Sequence, residues 1–317
     1  MIHAIVFIFL LLSLGQSSTG KINENYFHKA KGTRFEGMSF NEEGSWQGPF
    51  FFIQMADCQL GMYEQNRSWD KEVENLERAV DHINRLRPKF VIVCGDLTHA
   101  KPYKKAYPYQ VRDYKNAMSK ISEDIPLVCV CGNHDVGNKP TTQTIQSYKD
   151  NFGSHYFSFW AGGTQCFVLN SSLYCNPSNA KKIFQKQKAW LEQEMIQSPP
   201  QPPVHRFVFT HHPWFIKDAE TAASAYYEIP LERRLDAVRL FVNQGVTACF
   251  AGHYHRNCYA SYQGMEMITT NALGKPFGRD PSGFRIVKVF EDGIDHQFYG
   301  LDQVPQSIEF TQEEVNL

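Results

Sequence analysis

Phe50-Phe51-Phe52-Ile53-Gln54-Met55-Ala56 runs directly into Asp57-Cys58-Gln59. A short continuous apolar run bounded by polar residues is the pattern of a strand buried on both faces. The arrangement recurs along the chain. Lys89 to Cys94 (KFVIVC) leads into Gly95-Asp96, and Ile125 to Cys131 (IPLVCVC) into Gly132-Asn133-His134-Asp135. Val246 to Ala251 (VTACFA) leads into Gly252-His253-Tyr254-His255, and His205 to Thr210 (HRFVFT) into His211-His212. Asp, Asn and His are poor choices for the end of a buried strand unless something there needs lone pairs, as two divalent metal ions would. Taken alone, His253 or His255 reads as a hydrogen-bonded loop histidine, and Asp96 as a helix cap. Five strand ends that all carry metal donors do not reduce to such accidents.

Working outward, Asp70 to Leu86 has apolar residues at helical spacing and stops before Pro88. Helices are also expected over 110–121, 142–152, 180–197 and 231–243. Residues 156–160 and 165–169 flank Gly162-Gly163 as a hairpin. From Cys258 the pattern changes to short strands: 259–262, 265–269, 284–290 and 295–299. Strand–helix alternation followed by consecutive strands predicts an α/β (α+β) fold, a four-layer α/β/β/α sandwich of two mixed β-sheets. In such folds ligands gather at the carboxyl ends of strands, where every motif above lies.

The formal net charge of −1 gives no electrostatic case for nucleic-acid binding. Because the motifs span Asp57 to His255, one catalytic domain is expected over 49–303. It is preceded by a polar, Gly-rich arm (21–48) docked by Trp46, and followed by a tail (304–317). Ala4 to Leu14 is apolar but shorter than the ~20 residues of a spanning helix. With the small residues after it, the segment 1–20 reads as a secretory signal cleaved after Ser17 or Gly20. An uncleaved anchor or a false start is the alternative. No other stretch is apolar and long enough to span a bilayer. Among the eight cysteines there is no CxxC pair, which argues against a zinc knuckle, while Cys175 and Cys258 lie near loops and are free to oxidise in a secretory compartment. Of two glycosylation sequons, Asn66-Arg67-Ser68 sits in a polar loop and Asn170-Ser171-Ser172 ends an apolar strand.

The ordered set D-x-Q, GD, GNHD, H and GHxH resembles that of the calcineurin-like metallophosphoesterases. The resemblance implies two divalent metal ions. Asp57, Gln59 and His255 would hold one, Asn133, His211 and His253 the other, and Asp96 would bridge them. His134 would be the acid that contacts phosphate, with Asp135 holding or polarising it. His99 and His212 would stand beside the ligands rather than among them. Gln59 replaces the usual His; a carboxamide oxygen is a harder and weaker donor, which leaves manganese, iron, magnesium or zinc open. The GDxxDRG extension is absent, since Asp96 precedes Leu97-Thr98-His99-Ala100, so no Arg carries over from it. Arg256 and Arg279 are phosphate-contact candidates on position and charge. The resemblance implies a phosphatase of phosphomonoesters, namely phosphoserine and phosphothreonine in proteins, acting by in-line attack of a metal-bridging hydroxide. A phosphodiesterase or nucleotide phosphatase, or a non-catalytic metal-dependent scaffold, are the alternatives. Residues 97–118 and 213–230 flank the site, rich in Tyr, Lys and Pro, and suit a peptide or a stacked base. The leader points to secretion, the resemblance to the cytoplasm.

Overall fold

The computed structural model describes residues 22–197, 199–222 and 226–310. The leader expected over 1–20 and the end of the tail, 311–317, lie outside the described residues. In chain order the strands are β1 (Ala30–Lys31), β2 (Arg34–Phe35), β3 (Phe50–Met55), β4 (Val91–Cys94), β5 (Leu127–Val130), β6 (Phe157–Ala161) and β7 (Thr164–Val168). They continue with β8 (Arg206–Phe209), β9 (Ala248–Ala251), β10 (Cys258–Tyr262), β11 (Met265–Thr269), β12 (Gly283–Val289) and β13 (Ile294–Gly300). The helices are α1 (Glu24–Phe27), α2 (Phe40–Glu43), α3 (Asp70–Leu86), α4 (Tyr107–Met118), α5 (Asn133–Val136), α6 (Thr142–Phe152), α7 (Ser171–Cys175), α8 (Lys181–Ile196) and α9 (Leu231–Asn243).

The strands form two mixed sheets. One has the order β13-β12-β3-β4-β5, the other β1-β2-β6-β7-β8-β9-β11-β10. Alternation along the apolar runs sorts their side chains into three cores. Phe52, Ile92, Val128, Phe207, Phe209 and Phe250 point inward and fill the space between the sheets. Ile53, Met55, Val91 and Val93 point outward onto Leu76, Val80 and Ile83 of α3. On the other sheet, Val208 and Cys249 face Leu191 and Met195 of α8 and Val238 and Phe241 of α9. The result is the four-layer α/β/β/α sandwich expected from the pattern. Phe52 anchors its centre, with the rings of Phe90, Phe207, Phe209 and Phe250 at centroid distances of 4.7 to 5.9 Å. Truncating such a fully buried ring costs ~3–5 kcal/mol.

The fold brings the carboxyl ends of β3, β4 and β5 opposite those of β8 and β9. Buried Gln54 ties the two sheets just beneath, donating to the Ala251 carbonyl at 3.0 Å and accepting from the Thr270 hydroxyl at 2.7 Å. The hairpin is present, with Ala161 opposite Thr164 across Gly162-Gly163. The arm holds more structure than its polarity predicts. Strand β2 joins the larger sheet through Arg34 beside Ser158, and Tyr26, Phe27, Phe35 and Met38 are buried. Two-residue strands have no periodicity to detect; the neighbouring edge recruits them. Trp46 packs beside Phe50 at 6.1 Å. Among the described residues no helix is long and apolar enough to cross a membrane.

Candidate metal centre

Three of the motifs turn sharply as their strands leave the sheet. Nine described non-glycine residues have a positive φ, and five of them are Asp57 (51°), Gln59 (41°), Asp96 (51°), His253 (66°) and His255 (52°). Left-handed backbone costs of order 1–3 kcal/mol per residue and persists where the surroundings enforce it, characteristically at functional sites. Here cross-loop bonds enforce it: Asp57 N donates to Gly95 O at 3.0 Å, Gln59 N to Asp96 O at 2.8 Å, and Gly252 N to His211 O at 2.9 Å. Two motif glycines are required by close approach. A Cβ on Gly132 would stand 2.1 Å from Asp96 Oδ1, and one on Gly252 would stand 2.5 Å from Asp57 Oδ2.

The imidazoles are oriented by backbone carbonyls. A carbonyl only accepts, so the ring nitrogen facing it carries the proton. His211 Nδ1 donates to Cys94 O at 2.9 Å, His253 Nε2 to Tyr226 O at 2.7 Å, and His255 Nδ1 to Lys275 O at 2.6 Å. The other nitrogen of each ring therefore presents a lone pair. These lone pairs converge on further acceptors. His211 Nε2 lies 3.0 Å from Asn133 Oδ1, 3.1 Å from His253 Nδ1 and 3.4 Å from Asp96 Oδ1. Asn133 is turned oxygen-inward because its Nδ2 donates to Asn138. His255 Nε2 faces Asp57 Oδ1 at 3.2 Å, yet among the described residues no hydrogen bond satisfies that oxygen, and Gln59 Oε1 is likewise buried without a partner. Acceptors facing acceptors at this range repel unless a cation lies among them. The donor atoms of Asp57, Asp96 and His211 all fall within 4.8 Å of one another, as do those of His211, His212 and His253. The set of carboxylate, carboxamide and imidazole fits divalent metal.

Electrostatics give the same reading. Burial would depress His211, but the charge of Asp96 outweighs it and pushes the ring up to about 9. Burial likewise opposes, and Asp57 reverses, the shift at His255, which is raised. Burial would raise Asp96, but His211 and His134 hold it well below the usual carboxylate range. Both shifts favour the protonated imidazole where no metal is bound.

Asp57, Gln59, Asp96, Asn133, His211, His253 and His255 are thus brought together. Asp96 contacts both sides, accepting from Gln59 Nε2 at 3.3 Å and lying 3.4 Å from His211. His134 stands at the edge. Its backbone N–H donates to Asp96 Oδ1 at 2.8 Å, and its ring Nδ1 donates to His99 O at 2.6 Å, leaving Nε2 without a partner among the described residues. The expectation that Asp135 holds the His134 ring is corrected. Three residues after Gly132, the Asp135 carboxylate folds back to accept from Gly132 N (2.7 Å) and Leu97 N (3.1 Å), clamping the β4 and β5 loops together. Burial and the charge of Asp96 push it up to about 8. His212 is fully buried, and its Nδ1 accepts from the Ser171 hydroxyl, whose oxygen already accepts from two backbone N–H groups. Its acceptor nitrogen is therefore spent. Arg256 and Arg279 are exposed, and neither bonds to the cluster among the described residues; Arg256 lies over the Tyr254 ring. Sequence reasoning missed Phe277, stacked on His255 at 4.4 Å, and Tyr226, 5.1 Å from the His253 ring. Neither carries a sequence signal, because both act from irregular loops.

Two facing mixed sheets with carboxylate and imidazole donors gathered at the strand ends define a metal-dependent phosphoesterase. Residues 52–257 match the calcineurin-like phosphoesterase family, and the chain belongs to that family. It is 37% identical to serine/threonine-protein phosphatase CPPED1 of Homo sapiens over 291 residues, covering 88% of this chain and 93% of that protein. The CPPED1 of Danio rerio is 37% identical over 295 residues, covering 90% and 95%. Among solved structures, a dimetal phosphatase from Danio rerio shares the fold with a TM-score of 0.60 at 16% identity, covering 80% of this chain and 97% of that one.

Proposed function

We propose that this enzyme is a two-metal phosphomonoesterase that removes phosphate from phosphoserine and phosphothreonine in proteins. The observation that carries the reading is Asp96, which touches both halves of a cluster of mutually facing acceptors. Asp57, Gln59 and His255 would hold one ion, Asn133, His211 and His253 the other, with Asp96 shared. Bound divalent ions supply charge stabilisation to phosphoryl oxygens and lower the pKa of water for in-line attack. Manganese, iron, magnesium and zinc all suit this donor set. The chain's own residues do the rest. Carbonyls of Cys94, Tyr226 and Lys275 fix each imidazole, as partners behind metal ligands do. His134, fixed at Nδ1, presents Nε2 to the cleft, where it can hold a proton for the leaving alkoxide. A scaffold has no use for such a group. The protein substrate is supported by relatives named as protein phosphatases.

Turnover of a phosphoserine peptide, p-nitrophenyl phosphate, its bis-ester and ATP tests the reading. Phosphopeptide and monoester should be hydrolysed well ahead of the diester. A clear diester preference would sink it.

A further inference from the structure

The cleft in front of His134 has a volume of about 840 Å³ and is walled by the segment from His99 to Ala106 together with Arg67, Trp69 and Tyr109. Among the described residues four cations line it, Arg67, Lys101, Lys104 and Lys105, and no acidic residue does. The chain as a whole carries a net charge of −1, so this concentration is local. Arg67 is partly neutralised by Glu64 at 3.1 Å, and Lys104 leans over Tyr103. The ammonium groups of Lys101 and Lys105 have no hydrogen-bond or ion-pair partner among the described residues. Two exposed tyrosines, Tyr103 (68%) and Tyr109 (49%), share the same wall. A single scissile phosphate has no need of this outer field, since the divalent ions proposed for the donor cluster would supply its counter-charge.

We propose that this cleft selects phosphopeptides carrying Asp or Glu side chains within a few positions of the phosphorylated residue. The proposal rests on the phosphoprotein reading above and narrows it. Charge complementarity is the ground: an unpaired basic wall attracts anionic substrate and excludes cationic sequences. The cations are spread along 101–105 and across to Arg67 rather than gathered in one nest. That distribution suits carboxylates placed along an extended chain better than the compact phosphates of a nucleotide. The tyrosine faces offer the intervening apolar contact at low entropic cost.

The test compares two phosphoserine peptides of equal length, one with Asp and Glu around the phosphoserine, the other with Asn and Gln. Each kcat/KM is normalised to the same enzyme's turnover of p-nitrophenyl phosphate. The acidic peptide should be preferred by ~10-fold at low salt, mainly through KM, and the preference should shrink as salt screens it. In the double variant K101E/K105E the preference should vanish or invert. Equal kcat/KM for the two peptides at low salt would overturn the proposal. So would a preference that survives in the double variant, or ATP outcompeting both peptides. If neither peptide is cleaved while p-nitrophenyl phosphate is, the phosphoprotein reading fails, and the proposal with it.

Discussion

The two sides of the donor cluster differ in how firmly their atoms are held. Asn133, His211 and His253 are each pinned from behind, by Asn138, Cys94 and Tyr226, and the donor atoms of Asn133 and His253 lie 3.0 and 3.1 Å from that of His211. On the other side His255 is pinned by Lys275, but Gln59 leans on Asp96 through its amide nitrogen while its oxygen has no partner. One side is a preorganised set of one carboxamide and two imidazoles. The other combines a carboxylate, an imidazole and a weak carboxamide. On the proposed two-metal reading, the difference teaches that two ions sharing one carboxylate need not be held with one affinity.

The largest expected effect belongs to neither side alone. Asp96→Asn should strip both ions after dialysis and abolish phosphatase activity. Elemental analysis that finds either ion at full occupancy would break the idea of a shared ligand. Next, His134→Ala should lower kcat by ~10²–10⁴-fold, the range for a lost general acid, with metal content unchanged. Loss of metal in that variant would move His134 into the cluster. Third, Gln59→Ala and Gln59→His should act in opposite directions, roughly 10-fold each in metal retention, and on one ion only. An equal change at both positions would erase the asymmetry.

The smallest effect is a dependence of the metal-free protein on pH. The His211 pKa rises from an ordinary 6.5 to about 9 on folding, so its stabilising contribution is complete below about 6.5 and lost as pH climbs through about 9. Asp135, raised from 3.8 to about 8, has the same sign: folding takes up a proton there, and the benefit is lost as pH rises through about 8. The melting temperature of chelated protein should therefore fall between about pH 6.5 and 9, and that slope should flatten once metal is bound. A rising or level profile in the chelated protein would contradict the proton-for-metal exchange.

Much of this is legible in the sequence. The runs ending at Asp57, Asp96 and His253 are continuous and apolar because both faces are covered, a state that leaves a plain sequence signal. The helix over Asp70–Leu86 was legible to the residue. What stayed hidden was of two kinds. Strands β1 and β2 are two residues long and exist through their neighbour's edge. The direction of Asp135 depends on a one-turn helix, in which adjacent side chains diverge and a carboxylate prefers two backbone N–H groups to a ring. The carbonyls that set the tautomers of three histidines leave no trace in residue type at all.

The space at Gly132 and Gly252 has a consequence for inheritance. Each glycine is the vacancy that a donor from a different strand fills, Asp96 in the first case and Asp57 in the second. A lesion is therefore not felt where it is written. Gly252→Ala would register as damage to Asp57, nearly two hundred residues away in the chain, and a second change that rescued it would be sought beside Asp57. The motifs are best understood as one mould cut into several pieces, in which no piece can be recast without the others.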